Sequence, residues 1–599
     1  MRLVKQILGG LFLSITVLGA ATRPAGAQTP ANVLVVVNDT SEASRRVGDY
    51  YTQKRAIPPA NVVHLKAPIT ETISRAEFAA ALEAPIVNAL SKRSLQDRIF
   101  YIVLTKGVPL RIAGTPGRSG TRASVDSELT LLYRKMTGVF VGVDGPVANP
   151  YYAGDRPEDH PLFSHAAQDI YLVTRLDGFT VDDAIALVDR SLAATGASGA
   201  IVLDQRGGAV GQGNEWLATA AARLRGMNLG ARVFLETTDT RAGTDVPRLG
   251  YFSWGSIDSR QTSRTAAGPF APGALASMFL STDARTMVEP PAQWKPGATG
   301  SNYAGSSQSL TGDLLRAGAT GAAGNVAEPY LDGAVRPDIL FPAYVSGLNL
   351  AEAFYRAIPS LSWQTVVLGD PLCAPFRTSS VPAAELDPTL DPETDLPRQF
   401  SERRLRTTEA GSTPGVRKLL LRADARRVKG DIEGTITALE SATAMDGKLT
   451  NAFRALGLLY EQTGQADKAR IAYQRTLANN PNDFVVMNNL AYAMAVRDHK
   501  PADALPLAER AFTLSNGASL VADTLGWIYY QKNVYLKALS LLKEAAEKLP
   551  SDPIVQYHYG MAQHKNGNPD AAKKILAGSL KLSSNYPGAD EARKVLSQQ

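Results

Sequence analysis

The sequence predicts two architectures in series: an α/β domain on a mostly parallel sheet with helices on both faces, then an all-α solenoid. Three observations predict this. Residues 31–377 alternate short β-branched or aromatic runs with amphipathic stretches, the pattern of strands joined by helical crossovers. Residues 378–414 lose that periodicity. Residues 415–599 repeat small residues and aromatics at a spacing of 34 or 35, the size of one helix–turn–helix unit. A chain of 599 residues also exceeds what one hydrophobic core holds, so more than one domain is required.

The N-terminus reads as an export signal. Arg2 and Lys5 form a positive start, residues 7–18 are apolar, and Ala25, Gly26 and Ala27 are small. Residues 1–27 are therefore expected to be a secretory signal cut between Ala27 and Gln28. The protein would then be exported, to a periplasm or another extracytoplasmic compartment. The apolar run is short for a spanning helix, and no later segment is long and apolar enough, so no transmembrane segment is expected after cleavage. No cysteine stands at the cut to carry a lipid.

Composition narrows the function classes. Hydrophobic content of 44% and charged content of 20% are those of a folded protein. The net charge of +6 is small, and no Lys/Arg block is interleaved with aromatics, which argues against nucleic acid. Cys373 is the single cysteine, so neither an intrachain disulfide nor a cysteine-rich zinc site can form. No metal and no other cofactor is expected.

In the first domain, strands are predicted at 32–37 (NVLVVV), 62–65, 99–104 (IFYIVL), 170–173, 201–203 and 233–235. Several are continuously apolar, as in strands buried on both faces of a parallel sheet. Helices are predicted at 41–55 behind a Ser41 N-cap, at 74–90 with Ser74 and Glu77 at capping-box spacing, and at 181–194. Residues 378–414 are rich in Pro, Asp, Glu and Thr and read as an exposed linker that leaves its neighbours independent.

In the repeat region Gly457, Ala491, Gly526 and Gly560 follow one another at 34, 35 and 34 residues. Ala469, Ala504, Ala538 and Ala572 keep step, as do Tyr460 with Tyr529 and Pro481 with Pro550. Gly430 precedes Gly464 by 34, which implies a weaker first unit and about five in all. This frame resembles the tetratricopeptide repeat, in which small residues let paired helices approach and stacked units leave a concave groove. Projecting the frame places Asn451, Arg454, Glu461, Asn488, Tyr492, Asp523, Trp527, Tyr530, Gln531, Tyr557 and His564 on the groove. Aromatics with scattered amides and charges suit an extended peptide or protein partner; Tyr492 and Trp527 are equally readable as core.

Segments 169–191, 317–331 and 348–376 resemble a caspase-like domain of the gingipain type. The stretch GYFSWGS (250–256) falls where those cysteine peptidases carry a Gly-His-Gly signature. The resemblance implies a general base at Trp254 and a nucleophile after a later strand, yet 260–330 contains no cysteine. An indole N–H only donates and cannot take a proton, so Ser253, Trp254, Gly255 and Ser256 read as a degenerate catalytic corner, a pseudoenzyme. Segments 32–58, 104–112 and 123–129, together with YFSWGS and GNVAEPYL, resemble an uncharacterised bacterial family found in species with the exosortase sorting system. That resemblance implies an envelope context and brings no activity.

Other chemistry-bearing residues each have a plainer structural role open to them. Asp126 and Glu128 are two apart and would share a face on a strand, suiting a cation or acid–base work, or else an N-cap cluster. Asp204, Asp239, Asp258 and Asp283 adjoin predicted strands. Cys373 lacks a neighbouring histidine and reads as a small buried hydrophobe. Lys106 and Gly107 follow a strand and suit either an anion or a turn. The glycine-rich 206–216 is not a P-loop and reads as a loop or lid. His160 and His165 read as surface residues. The expectation is an exported, non-catalytic scaffold acting through protein–protein contacts. The alternative is an envelope hydrolase using Asp126, Glu128 and Asp204, which requires those carboxylates to converge near residues 253–256 instead of pairing with arginines such as Arg111.

Overall fold

The computed structural model describes residues 28–154, 156–196, 198–207, 211–237, 246–261, 263–264, 269–408 and 411–598. The expected signal, residues 1–27, lies outside them, as does Asp239. The chain divides into an α/β unit that runs to residue 408 and a helical unit of residues 392–395 and 409–599.

Ten strands form the main sheet of the first unit: β1 (Val33–Asn38), β2 (Val62–Leu65), β3 (Tyr101–Thr105), β4 (Leu172–Leu176), β5 (Ala200–Asp204), β6 (Val233–Glu236), β7 (Arg248–Ser253), β8 (Phe270–Met278), β9 (Gly321–Asn325) and β10 (Thr365–Leu368). Their order is β6-β5-β7-β8-β9-β10-β4-β3-β1-β2. β10 pairs antiparallel with β9 (Ala323↔Val367) and parallel with β4 (Leu368↔Arg175); every other neighbour is parallel. Two five-stranded parallel blocks therefore run in opposite directions, and their carboxyl ends lie at opposite edges of the sheet.

The continuous apolar runs follow from burial on both faces. Val33, Val35 and Val37 of β1 pack into one core, whereas Leu34 and Val36 pack into another. Four of the helices named here start on side-chain caps, which satisfy N–H groups left over at a helix start. α1 (Glu42–Arg55) begins at Ser41, whose hydroxyl accepts from the Ser44 N–H. The short α2 (Val125–Thr130) begins at Ser124, whose hydroxyl accepts from the Ser127 N–H. α3 (Val181–Leu192) has a capping box between Thr180 and Asp183. α4 (Gln212–Leu224) and α5 (Pro337–Val345) follow, and α6 (Leu350–Ala357) has a second box, between Asn349 and Glu352.

The segment expected as a linker carries structure. α7 (Arg398–Thr407) buries Phe400 against the second core, and the Phe400 and Gln399 N–H groups donate to the buried Asp97 carboxylate. The local composition conceals this because one aromatic and one distant acid supply the anchor. Further along, Asp395 meets Arg426 at 2.7 Å, which ties residues 392–395 to the first helix of the second unit.

The second unit stacks five helix pairs. They are α8 (Pro414–Lys429) with α9 (Ile432–Met445), α10 (Thr450–Gln462) with α11 (Ala466–Asn479), α12 (Phe484–Tyr492) with α13 (Pro501–Leu514), α14 (Ser519–Gln531) with α15 (Tyr535–Lys548), and α16 (Pro553–Lys565) with α17 (Pro569–Leu582); α18 (Ala589–Ser597) closes the stack. The small residues do what the period predicts. A Cβ on Gly457 would lie 2.2 Å from Tyr473, one on Gly526 2.8 Å from Leu542, and one on Gly560 2.6 Å from Leu576. Ala469, Ala504, Ala538 and Ala572 have no solvent exposure. No helix among the described residues is long and apolar enough to cross a membrane.

Candidate functional site

Ligands of parallel sheets sit beyond the carboxyl ends of the strands. β7 ends there at Ser253, and the chain turns through Trp254 into Gly255, whose φ of +51° suits glycine. Trp254 is almost wholly buried. Its indole N–H donates to Asn214 Oδ1 at 2.8 Å, its ring centroid lies 4.8 Å from that of Phe279, and Arg206 covers it at 4.9 Å. Gly213 makes room for it, since a Cβ there would be 2.5 Å from Trp254 Cζ2. Ser253 Oγ accepts from the Gly255 N–H and Ser256 Oγ from the Ser309 N–H.

Beside the indole lies a cleft of about 200 Å³, walled by Trp254, Phe279, Leu280, Ser281, Pro329 and Tyr330 among others. β8 is the adjacent parallel strand, in register Ser253↔Met278, so Phe279, Leu280 and Ser281 occupy the end of the strand that follows the tryptophan. Glu328 is the carboxylate on the cleft wall; Tyr330 has a φ of +59°, uncommon for a bulky residue, and lies beneath the Arg118 guanidinium at 4.2 Å.

The sequence-predicted carboxylates do not line this cleft. Asp126 and Glu128 lie in the first turn of α2, not on a strand, so residues two apart point in different directions. Asp126 receives the Arg175 guanidinium at 2.5 and 2.9 Å, and neither side chain has solvent access. Burial works against the charge on Arg175, but Asp126 and Asp177 outweigh it and raise its pKa. Glu128 accepts from Ser362 Oγ at 2.6 Å and meets Arg75 at 3.0 Å and Lys135 at 3.3 Å. Arg111 instead donates to the Arg285 and Val326 carbonyls.

Asp204 ends β5, five places from β4 and its Arg175 in the sheet, roughly 24 Å at ordinary strand spacing. It accepts from Gln261 Nε2 at 2.8 Å and lies 3.6 Å from Arg260. Burial pushes its carboxyl up to about 6, against the pull of Arg260. Asp204 thus lies apart from Asp126 and Glu128, and each of the three is beside a cation. Asp258 pairs with Arg260, and Asp283 is buried, accepting from the Asn325 N–H and Thr311 Oγ1, with its carboxyl pushed up to about 7 by burial.

The remaining candidates resolve into structural roles. Burial raises the Cys373 thiol to about 11, and Tyr344 Oη lies 3.4 Å from it, so it is a poor nucleophile. Lys106 donates to Asp177 and to the Gly178 carbonyl, and Gly107 turns the chain at φ +96°. His165 is not a surface residue. It stacks on Tyr133 at 4.3 Å, and burial pulls its pKa down to about 4. Of the glycine-rich loop, residues 208–210 lie outside the described residues.

The projected groove separates into two classes. Asp523, Trp527 and Tyr557 are buried packing residues. Asp523 pairs with His558 at 3.0 Å, Trp527 stacks between His558 at 4.0 Å and Tyr530 at 4.5 Å, and Tyr557 donates to Glu591 of α18. His558 and Glu591 were missed because they lie outside the repeat frame's groove positions. Asn451 and Glu461 are exposed, while Arg454, Asn488, Tyr492, Gln531 and His564 are half-buried. Asn488 Oδ1 and Gln531 Oε1 are buried acceptors without a hydrogen-bond partner. Arg454 lies 3.5 Å from Asp483.

The tetratricopeptide repeat family model matches residues 420–484 and 524–587, so the helical unit is a tetratricopeptide array. The chain is 25% identical over 138 residues to the general transcriptional corepressor trfA of Dictyostelium discoideum, a match covering 23% of this chain and a tenth (10%) of that protein's length. Among solved structures, it is similar to YrrB, a tetratricopeptide protein with an unusual peptide-binding site (18% identity, TM-score 0.25, 30% of this chain and 91% of that one). It is also similar to PilW, a type IV pilus biogenesis factor (16%, 0.27, 31% and 88%), and to MamA from Desulfovibrio magneticus RS-1 (15%, 0.26, 28% and 94%).

Proposed function

We propose that this chain is an exported, non-catalytic scaffold that binds a protein or peptide partner along the tetratricopeptide groove, in the cell envelope and in the setting of exosortase-type protein sorting. One observation carries the binding reading: Asn488 Oδ1 of α12 and Gln531 Oε1 of α14, at positions the repeat frame projects onto the groove, are buried and lack partners. An unpaired buried acceptor is costly, and the N–H groups of a bound extended peptide are the donors that would relieve it. Tyr492, one helical turn after Asn488 in α12, supplies apolar area. The export and sorting parts rest on the N-terminal pattern and on the resemblance of residues 31–376.

The α/β unit then serves as a caspase-like body whose chemistry has lapsed. Trp254 stands where that resemblance implies the general base, and Phe279 at the end of the adjacent strand packs against it. The indole N–H is already committed to Asn214, and it could not act as a base in any case. A hydrolase built on Asp126, Glu128 and Asp204 has no common site in which to work.

Processing at Ala27 is tested by sequencing the N-terminus of the mature protein, with Gln28 expected first; an intact Met1 in the exported fraction refutes it. Partner binding is tested by comparing the native chain with Asn488→Ala/Tyr492→Ala in affinity enrichment from the envelope fraction. A partner retained by the native chain should be lost with the variant.

A further inference from the structure

We propose that the cut after Ala27 creates a self-modification site: the new N-terminal Gln28 closes on itself to a pyroglutamyl lactam inside a pocket of the α/β unit. The inference rests on the processing reading above and on the surroundings of Gln28, which that reading does not use. Gln28 precedes the first strand, yet it is only 8% exposed. Its carboxamide is held at both ends. Arg377 Nη1 donates to Gln28 Oε1, and Gln28 Nε2 donates to Glu352 Oε1 of α6. Asn349 Nδ2 reaches the same Oε1 at 3.5 Å. Arg377 and Glu352 pair with each other, and the Glu352 side chain has no solvent access. Both are fixed by backbone groups. Glu352 accepts from the Phe163 N–H at 3.1 Å and the Asn349 N–H at 3.0 Å, and Arg377 Nε donates to the Gly347 carbonyl at 3.0 Å. The next residue is fixed as well, since the Thr29 N–H donates to Asn32 Oδ1 at 2.9 Å.

Cyclisation needs an electrophilic carbonyl, a neutral amine and a path for the proton. The guanidinium on Oε1 draws electrons from Cδ and stabilises the oxyanion formed as the α-amine adds. Burial and the same guanidinium disfavour a charged α-ammonium on this residue, because Glu352 is already paired with Arg377; the neutral amine is the nucleophilic form. The bond from the α-nitrogen to Cδ forms and the bond from Cδ to Nε2 breaks. One proton passes from the α-nitrogen to Nε2, carried by the Glu352 carboxylate that Nε2 already touches, and ammonia leaves. Nothing else is consumed. The lactam keeps its carbonyl oxygen for Arg377 and places no second positive charge beside it.

A lactam has no free amine for stepwise sequencing, so the test reads the N-terminal peptide of the exported protein by mass spectrometry. The expected peptide starts at residue 28 and is lighter than its sequence by one ammonia. In parallel, a chain whose leader ends in a protease site is cut just ahead of Gln28. Its mass is followed with time, folded and in urea, beside the free peptide 28–34. The folded chain should cyclise about tenfold or more faster than the peptide or the unfolded chain, and Arg377→Met should lose most of that gain. Equal rates for folded chain and peptide overturn the inference, even where the exported protein is cyclised, because an outside enzyme then did the work. So does an exported chain that begins with intact Gln28. An exported chain that begins elsewhere refutes the processing reading instead, and the rate comparison still decides the chemistry of the pocket. Should Arg377→Met fail to fold, the native chain against its urea-unfolded form and the peptide decides alone.

Discussion

Arg175 carries its charge without solvent access, answered chiefly by Asp126 and, at 3.2 Å, by Asp177. Removing one partner of such a pair strands the other, which is far costlier than replacing both with apolar groups. Asp126→Asn is therefore expected to destabilise the α/β unit by about 3–5 kcal/mol, read from urea unfolding. Asp126→Leu/Arg175→Met should cost less than that single change. Asp204 makes stability depend on pH. Its folded carboxyl is raised from 3.8 to about 6, so the folded state holds a proton that the unfolded state releases. Stability from this group is present below about pH 4 and lost as pH rises towards 6, at most about 2–3 kcal/mol. Asp204→Asn should remove that slope: the stability difference between variant and native chain should grow in the variant's favour from pH 4 to 6. A difference that is flat with pH would show that Asp204 titrates normally.

Close approach governs the elements. Gly457 sits where a Cβ would strike the Tyr473 ring, and Gly213 where it would strike Trp254. Gly457→Ala is expected to cost about 1–3 kcal/mol and to loosen the α10–α11 pair, as followed by helical circular dichroism. Gly213→Ala should cost a similar amount and redshift tryptophan emission as Trp254 is pushed outward. The first of these positions was legible from the repeat, because a period of 34–35 exposes a small residue that packing demands in every unit. The strands were legible for a related reason: NVLVVV is apolar at consecutive positions because both faces of β1 are covered. At α2 two readings stay open in the sequence, a shared strand face and an N-cap cluster, because two acids at a spacing of two fit both. The Ser124 cap, which settles the matter, is one short signal among competing ones.

At the scale of the whole molecule, long-range pairing was not legible. Nothing local announces that β10 enters between β9 and β4 and reverses the direction of half the sheet, since that order joins residues far apart in the chain. The same limit hid Arg175 as the partner of Asp126, and Asp97 as the anchor of α7. The tryptophan corner was legible as a place, the end of β7, but its neighbours come from two other segments: Arg206 and Asn214 from 206–216, and Phe279 from the end of β8. The molecule that results has an α/β unit in which Asp126, Glu128 and Asp204 are each beside a cation, and a solenoid with unmatched acceptors at Asn488 and Gln531. On the proposed reading, partner binding belongs to the second unit.

The most direct measurement of that claim is quantitative affinity enrichment of envelope proteins on the native chain, on Asn488→Ala/Tyr492→Ala and on Asp204→Asn. The account predicts a partner retained by the native chain and by Asp204→Asn, and reduced at least tenfold by the groove variant, with unchanged circular dichroism in all three. Equal retention by the groove variant, or loss caused by Asp204→Asn alone, would contradict it and move the functional surface to the α/β unit.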